Sequence, residues 1–282
     1  MGLVRKSLLA VASATALLST VIASAPAAQA VTKVPTSDAY VSIGDSLAFG
    51  YQPNLVAAGD FNPADYASYA EIYAHEEHLN LANFGCPGET STTMIYGGCP
   101  WTTGGLPTHM PFGGESQLGA AFTFLSAHPE TKLVSIDIGS NDLLGVVDSC
   151  LTATNVLGCI QSGLPGAMNT LFNNYSLTLG LTHLVAPQAK IVIFNIYNPL
   201  ALQLPGSDAI LAQVDSQLLL LAHYFGATVA DAFSAINGKP GTTREAHYVC
   251  TRTWECTPYK NIHPTTLGYK EMAIALERAV RR

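Results

Sequence analysis

The segment Ile43-Gly44-Asp45-Ser46-Leu47 ends a short apolar run with a glycine and two polar residues. Such a run is typical of a buried strand, and a glycine after it permits a tight turn. In open α/β sheets, ligands bind at the carboxyl ends of the strands. The segment therefore predicts that the hydroxyl of Ser46 lies at such an edge, although a turn of small polar residues is by itself common.

Four further apolar runs follow along the chain, and segments with helical spacing separate them. We predict strands at residues 39–44, 79–84, 132–138, 190–196 and 227–232. We predict helices at residues 63–77, 117–127, 163–184, 207–225 and 266–280. This alternation indicates an α/β fold with helices on both faces of a mainly parallel, five-stranded sheet. Because the sequence contains no repeat and no linker, residues 31–282 are predicted to form a single domain.

Three later segments carry residues suited to catalysis, namely 83–90 (NFGCPGET), 139–142 (GSND) and 261–264 (NIHP). With Gly-Asp-Ser-Leu at 44–47, they supply a nucleophile, a base and donors for the oxygen that becomes negative during ester attack. On these four ordered segments the chain resembles the GDSL, or SGNH, hydrolase family, named for its Ser, Gly, Asn and His. The resemblance implies a flavodoxin-like, three-layer α/β/α architecture, the SGNH hydrolase fold.

The candidate nucleophile is Ser46, and the candidate base is His263. A serine hydroxyl needs a base within hydrogen-bond reach, and His263 lies in a loop just before a predicted helix. For the oxyanion, the resemblance implies the backbone N–H groups of Ser46 and Gly88 and the side-chain amide of Asn141. Gly88 can bring its N–H close to a ligand because it lacks a Cβ atom. A simple turn glycine and a helix cap are the alternatives for Gly88 and Asn141.

The sequence departs from the family pattern beside the histidine. The family usually has an aspartate three residues before it, where this chain has Lys260. We expect the main-chain carbonyl near Lys260 to orient the imidazole, with Glu255 as the alternative. Both the neutral carbonyl and the charged carboxylate could accept a hydrogen bond from the imidazole, and either would fix the tautomer of the ring.

Six cysteines follow residue 30, and an even number in an exported chain favours disulfides over metal ligation. Connectivity does not follow from sequence alone. The resemblance implies sequential pairing, which gives Cys86–Cys99, Cys150–Cys159 and Cys250–Cys256. We predict no metal site and no cofactor.

The first 30 residues predict a secretory signal, with basic Arg5 and Lys6, an apolar run and Ala-Gln-Ala at 28–30. The mature protein is therefore expected to be secreted, without a stable membrane anchor. Removal of this segment leaves 11 basic and 20 acidic residues, a net charge of −9. This balance argues against a nucleic-acid partner, because nucleic acids bind basic surfaces through their phosphates.

The segment 97–116 is a long coil rich in Gly, Pro and Thr. Such coils are often functional, so it is either a lid over the acyl-binding cleft or a disulfide-anchored surface loop. Apolar side chains near the four segments predict a cleft for an apolar acyl group; they are Leu47, Phe49, Tyr51, Trp101 and Phe112.

These observations predict a secreted serine esterase or lipase that cleaves small-molecule or lipid carboxylic esters through an acyl-enzyme. Two alternatives stay open. One is a carbohydrate O-acetyl esterase, since aromatic side chains also stack on sugars. The other is a non-catalytic carbohydrate- or lipid-binding module, since a fold does not fix a function.

Overall fold

A computed structural model describes residues 38–282, so the predicted signal segment 1–30 lies outside the described residues. All five strands are parallel and lie in the order β2-β1-β3-β4-β5. They are β1 (Ala39–Gly44), β2 (Asn80–Asn83), β3 (Leu133–Asp137), β4 (Lys190–Phe194) and β5 (Thr228–Ala230). This order confirms the predicted flavodoxin-like α/β architecture.

Alternate strand residues enter two separate cores on the two faces of the sheet, as the two-residue period of a strand requires. In β4, Ile191 and Ile193 pack on one face, whereas Val192 and Phe194 pack on the other. Helices cover both faces of the sheet, so side chains on both faces are apolar. The strands are therefore continuous apolar runs in the sequence rather than alternations of apolar and polar residues.

The helices that cover the sheet include most of those predicted. They are α1 (Ser46–Phe49), α2 (Pro53–Ala57), α3 (Tyr69–Glu76), α4 (Ser91–Tyr96), α5 (Pro100–Thr103), α6 (Gln117–Ala127), α7 (Ser140–Cys150), α8 (Val156–Val185), α9 (Ser207–Tyr224), α10 (Ala232–Ile236), α11 (Thr243–Arg252) and α12 (Thr266–Val280), with a 3₁₀ turn at Pro63–Asp65. In the described part of the chain, no helix has both the length and the apolar character needed to cross a bilayer.

The predicted helix 63–77 is wrong in its first half. The chain forms only a 3₁₀ turn there, and α3 begins after Ser68. The Ser68 side chain accepts a hydrogen bond from the Ala70 N–H, and the Glu71 carboxylate accepts one from the Ser68 N–H. This capping box satisfies N–H groups that have no helical partner, so it fixes the start of the helix at this point.

Close contact between β1 and β3 positions the functional edge of the sheet. Gly44, the last residue of β1, lies so near Asp137 that a Cβ atom on it would stand 2.1 Å from the Asp137 carbonyl oxygen. The Asp45 N–H donates to the same carbonyl at 3.0 Å. Only glycine fits here, and the chain leaves the sheet directly into Ser46.

Candidate active site

Ser46 is the first residue of the short helix α1. The Asp45 side chain caps this helix by accepting a hydrogen bond from the Leu47 N–H at 2.9 Å. The helix ends after one turn at Gly50, whose φ of 88° is in the left-handed region that glycine favours. Ser46 is 7% exposed and lines a cleft at this edge of the sheet.

The imidazole of His263 meets the hydroxyl of Ser46 across 217 positions of sequence. The distance between His263 Nε2 and Ser46 Oγ is 2.7 Å, within the range of a hydrogen bond. The other ring nitrogen, Nδ1, lies 2.6 Å from the side-chain oxygen of Asn261. The structure thus brings together the two side chains that the sequence predicts as nucleophile and base.

Asn261 takes the orienting position, and the predictions of the Lys260 carbonyl and of Glu255 are wrong. The side-chain oxygen of Asn261 accepts a hydrogen bond from the His263 backbone N–H at 3.1 Å, and the same oxygen faces Nδ1 of the ring. Lys260 adopts a left-handed φ of 46°, which turns the chain immediately before Asn261. Glu255 instead accepts a hydrogen bond from Gln203.

The arrangement of Asn261 also defines the tautomer of the ring. An atom that accepts the His263 backbone N–H must be the amide oxygen, and this oxygen faces Nδ1. Nδ1 therefore carries the hydrogen, and Nε2 is free to accept the hydroxyl hydrogen of Ser46.

Backbone contacts hold the histidine loop against the sheet edge. The Trp254 N–H donates to the His263 carbonyl at 3.0 Å, and Thr253 forms a β-bridge with Pro264. The Tyr51 ring packs on the imidazole with 4.3 Å between their centres. The Tyr197 hydroxyl donates to the Ile262 carbonyl at 2.8 Å. The ring is therefore placed by its own loop and by two tyrosines.

Burial lowers the pKa of His263 to about 3, because the charged imidazolium loses its hydration there. Part of the ring still faces the cleft. The neutral amide of Asn261 adds no charge that would favour the imidazolium. The side chain is therefore neutral at neutral pH, which is the state that a base requires.

The Asn141 amide links the turn that carries Gly88 to the turn that carries Ser46. Asn141 Nδ2 donates to the Glu89 carbonyl at 2.8 Å and, at the longer distance of 3.5 Å, to Asp45 Oδ2. Gly88 has a φ of 84°, and a Cβ atom there would press on Pro100 at 3.1 Å. The bond to Glu89 fixes the turn that carries Gly88, while Asn141 lines the cleft next to Ser46.

Three carboxyl groups are buried around this edge of the sheet, on Asp45, Glu89 and Asp137. Burial raises the pKa of Asp45 to about 7 and that of Glu89 to about 7. Burial and the neighbouring Asp45 together raise the pKa of Asp137 well above its usual value. These groups thus hold their protons more tightly than exposed carboxyl groups do.

All three predicted disulfides are present at Cys86–Cys99, Cys150–Cys159 and Cys250–Cys256. Glu89 lies near the first pair at a spacing that resembles a metal site. Both sulfurs are joined to each other, however, and therefore offer no thiolate ligands.

An apolar cleft opens beside Ser46 and His263, with a volume of about 880 Å³ including its open mouth. One face of each of α7, α8 and α9 lines it. The spacing of the lining residues is helical, as in Ser207, Ile210, Leu211 and Val214 on α9. The cleft therefore extends from the reacting groups into an apolar space between these helices.

Leu47 lines this cleft as predicted, but the prediction is wrong for the four aromatic side chains, Phe49, Tyr51, Trp101 and Phe112. Phe49 and Trp101 pack instead in a small separate core with the Cys86–Cys99 disulfide, and Phe112 packs against its edge. The segment 97–116 corresponds to the second alternative, a disulfide-anchored loop, because its side chains close this core. The wall of the cleft comes from helices and from a segment after β4 that the sequence analysis did not single out.

Comparisons with known proteins agree with this description. A model of the GDSL-like lipase/acylhydrolase family matches residues 42–271. The structure of the acetylxylan esterase Axe2 from Geobacillus stearothermophilus has a TM-score of 0.54 at 13% identity, over 88% of this chain and 96% of that one. An extracellular lipase from Streptomyces rimosus has a TM-score of 0.53 at 17% identity, over 86% of this chain and 100% of that one. Among curated proteins, none matches this chain.

Proposed function

The chain belongs to the GDSL-like lipase/acylhydrolase family, and from this premise we propose that it is a serine hydrolase of carboxylic esters. The observation that carries the proposal is the pair of contacts at His263. Nε2 lies 2.7 Å from the Ser46 hydroxyl, and Nδ1 lies 2.6 Å from Asn261. A nucleophile, its base and an orienting group in this order are what acyl transfer needs.

In the first step, Ser46 Oγ attacks the ester carbonyl carbon while His263 Nε2 takes the hydroxyl proton. The carbonyl oxygen becomes negatively charged and is stabilised by the Ser46 and Gly88 N–H groups and by the Asn141 amide, one hydrogen of which leaves its long bond to Asp45 Oδ2. The Ser46 N–H suits this role because it lies in the first turn of a helix, where N–H groups have no helical partner.

The tetrahedral intermediate then collapses. The bond to the alkoxy oxygen breaks, and the alcohol leaves with the proton from His263 Nε2, so the acyl group remains on Ser46. A water molecule attacks this acyl-enzyme while His263 takes its proton. Return of that proton to Ser46 Oγ releases the carboxylic acid and restores the enzyme.

The test is ester hydrolysis by the wild type, Ser46→Ala and His263→Ala. Each substitution should lower kcat by at least about ten-thousandfold, because nucleophile and base act as a unit. Mass spectrometry after mixing with a p-nitrophenyl ester should find an acyl group on Ser46 in the wild type only. Ser126→Ala, at an exposed serine of α6 that does not line the cleft, is the matched control.

Each alternative predicts a different outcome. A wild type that hydrolyses no ester would support the non-catalytic binding module. Activity confined to acetate esters would support the carbohydrate O-acetyl esterase. Activity of Ser46→Ala equal to that of the wild type would contradict the assigned nucleophile.

We also propose that the protein is exported. Support comes from the signal pattern in residues 1–30 and from the three disulfides, which persist in oxidising compartments. N-terminal sequencing of protein from the culture medium tests this. A start at Met1 or retention inside the cell would contradict it.

A further inference from the structure

The segment 199–206 leaves the end of β4 and forms part of the cleft wall before α9 begins; we name it the cap segment. Asn198 holds its two ends together. The Asn198 side-chain amide donates to Ser207 Oγ and to Asp208 Oδ1, each at 2.7 Å. Asn198 is 5% exposed, and Asn237 bonds both its backbone N–H and its carbonyl. The base of the cap segment is therefore fixed.

The inner side of the cap segment is apolar. Leu200 and Leu204 line the cleft, whereas Leu202 between them is 40% exposed and does not. The Leu204 N–H donates to the Leu200 carbonyl at 2.8 Å, so a single turn places both leucines on the same side. The two leucines face a cleft that Ile210 on α9 also lines.

One contact joins the cap segment to the opposite wall of the cleft. The Gln203 amide donates to the Glu255 carboxylate, in the loop that also carries His263. Among the described residues this is the one hydrogen bond between the cap segment and that loop. Gln203 is exposed, and the bond lies at the surface. We name this hydrogen bond between Gln203 and Glu255 the latch. Because the base of the cap segment is fixed, the latch can break without disturbing the sheet.

The chemistry of the lining indicates the kind of acyl group. No Lys, Arg, Asp or Glu lines the cleft within the described part of the chain. Ile160, Leu164 and Val214 are buried at its walls and offer only hydrocarbon. Burial of each methylene group of a ligand stabilises it by an amount equivalent to about fourfold in binding. An unbranched acyl chain gains this at every carbon, whereas an acetyl group gains almost nothing.

We propose that the substrate is an ester of an unbranched, apolar acyl chain that lies under the cap segment, and that the Gln203–Glu255 latch sets the access of long chains. This rests on the proposed function. Glu255, predicted as the alternative orienting group for His263, instead accepts the hydrogen bond that forms the latch. An acetyl group makes little contact with the cap segment, whereas a long chain lies against Leu200 and Leu204, so in this proposal opening of the latch favours long chains.

The test is kcat/KM of the wild-type enzyme and its variants on p-nitrophenyl acetate, butyrate, octanoate and dodecanoate. The wild type should prefer octanoate to acetate by about tenfold or more. Gln203→Ala and Glu255→Ala should each raise the dodecanoate-to-acetate ratio by about three- to tenfold, since one hydrogen bond opposes opening. The double variant should match the single ones, because both remove the same bond.

Two further variants test the wall. Ile210→Phe fills the cleft and should lower the octanoate-to-acetate ratio. Leu202→Ala is the matched control, a leucine of the cap segment outside the lining, and should leave that ratio unchanged. Thermal unfolding of each variant separates a change of the cleft from a loss of folding.

The outcomes separate this inference from the proposed function. Activity highest on acetate, with Ser46→Ala inactive, would overturn the inference and leave the ester hydrolase intact. Equal effects of Gln203→Ala on all four esters would overturn the latch. Hydrolysis of no ester by the wild type would overturn the proposed function and the inference with it.

Discussion

At His263, the hydrogen on Nδ1 is directed to a neutral amide oxygen rather than to a carboxylate. The amide oxygen of Asn261 fixes the tautomer of the ring as well as a carboxylate would. It stabilises the imidazolium less, because it carries no charge. In the proposed mechanism, orientation therefore contributes more than charge to the action of His263 as a base.

Replacement of Asn261 tests this at the scale of one residue. Asn261→Asp should raise the pKa of His263 above its value of about 3, because a negative charge favours the imidazolium. A base must be neutral, so the acidic limb of the kcat/KM–pH profile should move to higher pH. Asn261→Ala should instead lower kcat by about ten- to a hundredfold, with no upward move of that limb.

The pH profile distinguishes an orienting role from a merely structural one. Thermal unfolding of both variants should stay near that of the wild type. An acidic limb that does not move in Asn261→Asp would mean that this side chain does not face the ring in the working enzyme.

At the scale of elements, the loop between α11 and α12 decides where the base lies. Gly268, in the first turn of α12, lies so close to α11 that a Cβ atom would stand 2.0 Å from the Arg252 carbonyl oxygen. The Cys250–Cys256 disulfide links the end of α11 to this loop. The position of His263 thus depends on the packing of two helices and on one covalent bond.

Removal of that disulfide should affect both stability and turnover. Cys250→Ser with Cys256→Ser should lower the free energy of unfolding by about 2–3 kcal/mol, because the short closed loop no longer restricts the unfolded chain. Turnover should fall as well, since the histidine loop loses an anchor. Urea unfolding and ester hydrolysis on the folded variant measure the two effects.

The matched control is Cys150→Ser with Cys159→Ser, which opens a comparable loop between α7 and α8. This double variant should lower the free energy of unfolding by a similar amount, but it should lower kcat less than the loss of Cys250–Cys256 does. Equal kcat losses in the two double variants would show that the Cys250–Cys256 bond has no special effect on the base.

At the scale of the whole molecule, buried carboxyl groups link stability to pH. Burial raises the pKa of Asp45, Glu89 and Asp215 to about 7, and burial together with Asp45 raises that of Asp137 well above its usual value. The folded protein then binds these protons more tightly than the unfolded chain does. This contribution is fully present below pH 4 and is lost as the pH rises towards 7.

His263 acts in the opposite direction, because its pKa is lowered to about 3 and it adds stability as the pH rises towards 6.5. Four carboxyl groups outweigh one imidazole, so the Tm should fall between pH 5 and pH 8. Thermal unfolding across this range measures it, and Asp215→Asn should flatten the slope. A Tm that rises with pH would contradict the raised pKa values.

The sequence by itself determined the sheet, its parallel strands and the choice of Ser46 and His263 as candidate nucleophile and base. These follow from local patterns, namely apolar runs, glycine turns and four short ordered segments. The contact of Asn261 with the histidine could also have been predicted from the sequence, because an asparagine side chain often accepts a hydrogen bond from the backbone N–H two residues later.

Only the tertiary structure decided which side chains line the cleft and what orients the base. The apolar wall comes from α7, α8, α9 and the cap segment, and packing between distant elements brings these together. Phe49 and Trp101 are apolar and near Ser46 in the fold, yet they pack in a separate core. Burial depends on what lies on every side of a residue, and local sequence patterns do not show which distant elements pack there.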